Sequence, residues 1–208
     1  MPGWKNITLK QWEELDRLSK QKFEDDILYT SEIIKVVFNI EDPLNMTPQE
    51  FQKYVAELSF MKDPIPEVKL CNTYNINGTK YNFKGNIYEI TMGALMDWRK
   101  YSTEQEIDYA QCLSVFMIPE GCKYNEGYDI DKAIEDIRCL PITDVLKVYT
   151  FFQAALKLSM QILIDYFQRL MKKTKLTKEQ RVEVQNKIKQ AQEISDMTFF
   201  HTQSATQK

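Results

Sequence analysis

Thr73-Tyr74-Asn75-Ile76-Asn77-Gly78-Thr79-Lys80-Tyr81-Asn82-Phe83 is the stretch that decides the fold. It reads as two short strands around an Asn-Gly turn, because that turn needs positive φ at both central residues and Asn followed by Gly tolerates it best. Helical patterns lie on both sides. An α, hairpin, α order predicts a mainly α fold: a helical domain with one inserted β-hairpin near residues 71–84. An isolated hairpin is marginal in water, so at least one of its faces must rest on the helices.

Working outward, the helix starts are well marked. Thr8 with Gln11, Thr47 with Glu50, Thr103 with Glu106 and Thr177 with Gln180 all fit the capping box. Pro48 falls at the first helical position, where its missing N–H costs nothing. Helices are expected at about 9–22, 25–39, 48–61, 92–101, 103–118, 130–139, 143–172 and 178–196. Asp42-Pro43 and Asp63-Pro64-Ile65-Pro66 stop helices, since a residue before Pro is pushed out of the α region. Pro119-Glu120-Gly121 ends another, and Cys139-Leu140-Pro141 separates two more. Residues 202–208 read as a polar tail.

The helix from Thr143 is the expected spine. Val145, Val148, Phe152, Ala155, Leu156, Ser159, Leu163, Phe167 and Leu170 recur every three or four residues and share one face. Ile142, Tyr149, Phe151, Leu158, Ile162 and Tyr166 widen the apolar arc beyond a single stripe. Such a helix is either buried centrally or covers a second side with a partner. Lys147, Gln153, Lys157, Gln161 and Asp165 break the run, which marks a solvated stripe on a helix rather than a membrane span.

At 208 residues the chain fits one domain with an appendage, divided as residues 1–172 and 173–208. A hydrophobic content of 43% is globular, and a domain of this size folds without metal or disulfide. Cys71, Cys112, Cys122 and Cys139 have no CxxC spacing, so reduced thiols in a cytosolic setting are expected. Met1-Pro2-Gly3-Trp4-Lys5 has no apolar segment of a secretory signal. Charge is uneven: residues 169–189 hold eight basic and two acidic side chains, about +6, against a formal net charge of −3, leaving about −9 for the remainder.

No constellation in the chain carries a familiar chemistry. The single histidine, His201, stands after the last expected helix, so a His-based triad or a mixed His/Cys zinc site has no material. There is no GxGxxG and no GxxxxGK[ST]. Dense carboxylates at Glu24-Asp25-Asp26 and Glu104, Glu106 and Asp108 sit at expected helix starts, where negative charge suits the macrodipole. The loop at residues 125–131 has some cation-loop composition without the EF-hand spacing. These absences predict no catalytic residue, no cofactor and no metal. The basic segment is the only feature suited to nucleic acid, and it lacks aromatics for stacking on single strands. A solvated helical hairpin, an acidic protein surface and nucleic acid all stay open as readings of it.

Several motifs carry a resemblance. They are Ile7-Thr8-Leu9-Lys10-Gln11-Trp12, Thr47-Pro48-Gln49-Glu50-Phe51, the hairpin, Tyr88-Glu89-Ile90-Thr91-Met92-Gly93, Glu106-Ile107-Asp108-Tyr109-Ala110, Phe116-Met117-Ile118-Pro119-Glu120-Gly121 and Leu140-Pro141-Ile142-Thr143-Asp144-Val145. Over residues 7–170 the pattern resembles small helical virion and tail-assembly proteins of bacteriophages, with the crAss-like phages of gut bacteria nearest in style. The resemblance implies a non-enzymatic virion component of the tail or head–tail region, or a packaged protein, bound to other phage virion proteins and in multiple copies or a ring. It implies residence in the virion, and in host cytoplasm during assembly. A tail-assembly chaperone absent from the mature particle is the alternative within that class; a nucleic-acid-binding accessory protein is the alternative outside it.

The expected interface consists of the two places with more surface than the chain's own core can use. One is the hairpin, through Tyr74, Ile76, Tyr81 and Phe83. The other is the basic helix and its approach, through Arg169, Lys172, Lys173, Lys175 and Arg181. The loop at 122–127 is expected to contribute little.

Overall fold

The structure, a computed structural model, describes residues 2–85, 89–103, 107–173 and 177–205, with the side chains of Met92, Thr103, Lys173 and 193–205 left aside. The chain runs through α1 (Leu9–Ser19), α2 (Asp26–Phe38), α3 (Pro48–Glu57), β1 (Thr73–Ile76), β2 (Thr79–Phe83), α4 (Met92–Thr103), α5 (Tyr109–Ser114), β3 (Met117–Pro119), α6 (Ile130–Arg138), α7 (Ile142–Lys173) and α8 (Lys178–Ala205). It is a mainly α fold with one small antiparallel sheet.

Local chemistry places most of these elements. Thr8 and Thr47 both form the reciprocal capping box with Gln11 and Glu50, and Thr177 exchanges bonds with Gln180 in the same way. Asp25 caps α2, and α2 ends where Asn39 takes the left-handed conformation at φ 56°. Asp129 caps α6 by accepting from the backbone N–H of Asp131 and Lys132, which is how the acidic end of the 125–131 loop is used. The box expected at Thr103 and Glu106 lies outside the described side chains.

One expected helix is corrected. Among the described residues of the pattern over 103–118, α5 is capped by Asp108 and ends at Ser114, and residues 117–119 become β3. β3 pairs with β2, placing Asn82 opposite Ile118 and Phe83 opposite Met117, so the strand order is β1-β2-β3. The Glu120 N–H donates to the Lys80 carbonyl and the Lys84 N–H to the Phe116 carbonyl, each at 2.8 Å. The hairpin thus gains its third strand and β2 fills both of its ladders, a gain in backbone pairing that outweighs continued helix for three residues. A second correction concerns the C-terminus: α8 continues to Ala205, so Thr202 to Ala205 are helical in backbone rather than a tail.

The core forms around the first half of α7. Phe152, 1% exposed, stacks on Phe116 with ring centroids 3.8 Å apart and meets Trp98 edge-on at 5.2 Å. Tyr149 meets Tyr109 edge-on, and Tyr109 meets Trp12, which carries the packing from α7 through α5 to α1. The chain start is laced to the start of α7: the Leu9 N–H donates to the Leu140 carbonyl and the Ile142 N–H to the Ile7 carbonyl, each at 2.8 Å.

Candidate interaction surface

The hairpin is built as its turn chemistry demands. Asn77 has φ 49° and Gly78 φ 80°, the two positive values of a type I′ turn. Tyr74 stands opposite Tyr81, and Ile76 opposite Thr79, so the large side chains share one face. That face belongs to the subunit's own core: Tyr74, Ile76, Tyr81 and Phe83 are all buried. The expectation that these four make an interface is therefore corrected. One face of the sheet had to be supported, and the helices support the face that carries every large apolar residue. Thr73, Asn75, Lys80 and Asn82 point the other way, a polar set without an interface core.

The hairpin tip is anchored by a buried carboxylate. Asp136 of α6, 4% exposed, accepts from the Tyr81 hydroxyl at 2.7 Å and from the Asn77 side-chain amide at 2.8 Å. Burial, then the bond to Asp136 and its charge, push the Tyr81 phenol far above its ordinary value. The sheet is thus fastened to α6 by charge-assisted hydrogen bonds across a water-poor contact.

A second charged knot lies where α1, α5 and α6 meet. Arg138 approaches Asp108 at 3.2 Å, Glu135 at 2.5 Å and Glu13 at 3.4 Å. Burial raises the Glu13 carboxyl, while the Arg138 charge opposes that rise. Each carboxylate serves the guanidinium, and Asp108 also caps α5, so the knot reads as a structural tie. Among the described residues no group of three His, Cys, Asp or Glu side chains is placed to hold a metal ion. Cys112 is buried, Cys122 half-buried, and Cys71 and Cys139 are exposed, all as free thiols. His201 has its backbone within α8.

The unusual surface is on α7. At 32 residues it spans about 48 Å. Val145, Val148, Tyr149, Phe152, Gln153 and Leu156 are buried against the body. Among the described residues of α7 from Lys157 onward, only Ile164 is buried. The long helix is therefore the core element only in its first half, which corrects the expectation of a single buried spine through residue 172. Beyond that point its chief neighbour is α8, which packs along it as a helix pair. Among its described side chains α8 turns Val184 and Ala191, buried, and Ile188, half-buried, toward one side of its partner. The other side of α7 carries Leu158 at 63% exposure, Ile162 at 52% and Tyr166 at 58%. Nearer the body, Phe151 is 37% exposed and lies edge-on to Phe83.

The basic residues flank this helix pair. Arg169, Lys172 and Arg181 are exposed. Lys172 and Arg181 come together on an open groove between α7 and α8 with Gln168, Gln185 and Gln192, while Arg169 stands outside it. Lys187 pairs with Glu183 on its own helix at 2.7 Å. Lys175 and the side chain of Lys173 lie outside the described residues. The sequence names the basic set as interface and leaves Leu158, Ile162 and Tyr166 open between core and partner surface; the structure exposes them. Their signal was the apolar arc, too wide for one stripe.

No known protein family, curated protein or solved structure matches the chain. Its class is thus defined by architecture: a small α-rich body with a three-stranded sheet, extended by a two-helix arm that leaves an apolar face uncovered. No helix among the described residues is long and apolar enough to cross a membrane.

Proposed function

We propose that this chain is a non-enzymatic assembly protein of a bacteriophage particle, placed in the tail or head–tail region or packaged inside, and acting through protein–protein contacts. The observation that carries the interaction reading is the uncovered face of α7. Apolar residues exposed in a contiguous row on a regular helix are a surface waiting for another protein, whereas singly scattered ones are ordinary. The basic residues beside that row suit an acidic neighbour. The phage assignment rests on the sequence resemblance over residues 7–170, and it makes the virion, with host cytoplasm during assembly, the expected location.

Mass spectrometry of purified particles tests the proposal. The chain is expected among the particle proteins in multiple copies. A chain absent from particles but recovered with tail proteins from infected cells would make it an assembly chaperone. A chain found with neither would overturn the proposal.

A further inference from the structure

The exposed face of α7 is self-complementary, and we infer that two copies of this chain pair through it, antiparallel, about a two-fold axis passing beside residue 160. The inference rests on the reading of the arm as an assembly surface and names its first partner.

The argument begins with spacing. Phe151, Ala154 and Ala155, Leu158, Ile162, Asp165 and Tyr166, and Arg169 follow one another at intervals of three and four residues, the seam of a helix that packs along its length on another helix. This seam is opposite the side that α8 covers, where Ile164 is buried. Turned end for end about residue 160, the series maps onto itself. Leu158 lies opposite Ile162 of the second copy, and Ile162 opposite Leu158. Tyr166 lies over the small Ala154, large against small. Phe151 lies under the guanidinium of Arg169, a stacking that suits both. A two-fold contact requires this reciprocity.

Charge selects the antiparallel sense. A parallel pair would set Asp165 on Asp165, Arg169 on Arg169, and one basic tip on the other. In the antiparallel pair the tip of each arm, with its share of the +6 of residues 169–189, lies beside the body of the other copy, on the side of the chain where residues 1–168 carry about −8. Glu67 stands at that end of α7, beside Lys147 and with its side chain 92% exposed.

The area is of the right order. Phe151, Leu158, Ile162 and Tyr166 expose on the order of 400 Å² per copy, within the roughly 300–600 Å² of the largest, often functional, patch on a typical monomer. Two faces give about 800 Å². The flanking alanines, Arg169 and the tip-to-body contact bring the total toward the roughly 1,200–2,000 Å² of a stable specific interface.

Sedimentation velocity of the full chain, with Leu158→Asp and Ile162→Asp beside it, tests the inference. Both positions are exposed, so helix content and melting of the monomer are expected to be unchanged. The native chain is expected to be a dimer at micromolar concentration, and either substitution to raise the dissociation constant on the order of 30-fold or more, the scale of an interface hot spot. A native chain that stays monomeric, or variants that dimerise as well as it does, would overturn the pairing. Register is read by disulfide formation in a Cys71→Ser, Cys139→Ser background. A mixture of Leu158→Cys and Ile162→Cys chains is expected to favour the mixed disulfide; preference for the two like pairs would refute the antiparallel sense. The two readings fail separately. A monomeric native chain whose Leu158→Asp variant is excluded from particles leaves the assembly reading standing and removes self-pairing. A dimer lost without effect on incorporation does the reverse.

Discussion

Phe152→Ala is the sharpest test of where the core lies. The ring is 1% exposed, stacked on Phe116 and edge-on to Trp98. Removing its transfer free energy costs about 1.5–3 kcal/mol. Losing two aromatic pairs costs about 0.5–1.5 kcal/mol each beyond area. The expected loss is therefore about 4 kcal/mol, inside the roughly 3–5 kcal/mol measured for buried Phe→Ala changes. Urea unfolding followed by fluorescence reads it, since Trp98 touches the deleted ring. With a slope of about 3 kcal/mol/M, at the upper end for small proteins, the midpoint should fall by about 1.3 M. Leu158→Ala, less than two turns along the same helix, is the control. At 63% exposure it should change the stability of the single copy, measured below the concentration at which copies pair, by no more than about 0.5 kcal/mol. A Phe152→Ala loss below about 1 kcal/mol, or equal losses for the two substitutions, would show that α7 is not divided into a core half and a surface half.

Tyr81→Phe removes one of two donors from buried Asp136 and should cost about 1.5–3 kcal/mol by thermal or urea unfolding, with Asp136→Asn recovering part of the loss because an amide needs fewer donors than a carboxylate. Asn77→Ala should cost at least about 1 kcal/mol, since Ala lacks the side-chain amide that makes Asn tolerant of φ 49° and also releases Asp136; Asn77→Gly, free of the backbone strain, should cost less. Thr47→Ala should lower stability by about 1 kcal/mol through loss of the α3 capping box, measured by the same unfolding experiment. Deleting residues 173–208 should leave the body folded, with the cooperative melting of its core retained, while the shortened chain fails to enter particles; a chain that unfolds instead would make α8 part of the core.

Much of this architecture was legible in the residues because it is local. The boxes at Thr8, Thr47 and Thr177 and the Asn77-Gly78 turn are each decided by groups a few positions apart, and all stand where the sequence places them; α2 is stopped by Asn39 in the left-handed conformation, ahead of the expected stop at Asp42-Pro43. The basic set at Arg169, Lys172 and Arg181 was equally visible, since charge needs no partner to be counted. The third strand was not. Phe116-Met117-Ile118 reads as the end of an apolar helix until the free edge of β2 is brought beside it, thirty-five residues away in the chain. Nor could the sequence say which apolar residues would be inside. Tyr81 is held inside because α6 presents Asp136 to its hydroxyl, and Leu158 and Ile162 are left outside because they lie on the side of α7 away from the α8 stripe of Val184 and Ala191. Periodicity determines which residues share a face; only the arrangement of the other elements determines how many of those faces are covered, because burial is a property of neighbours distant in sequence.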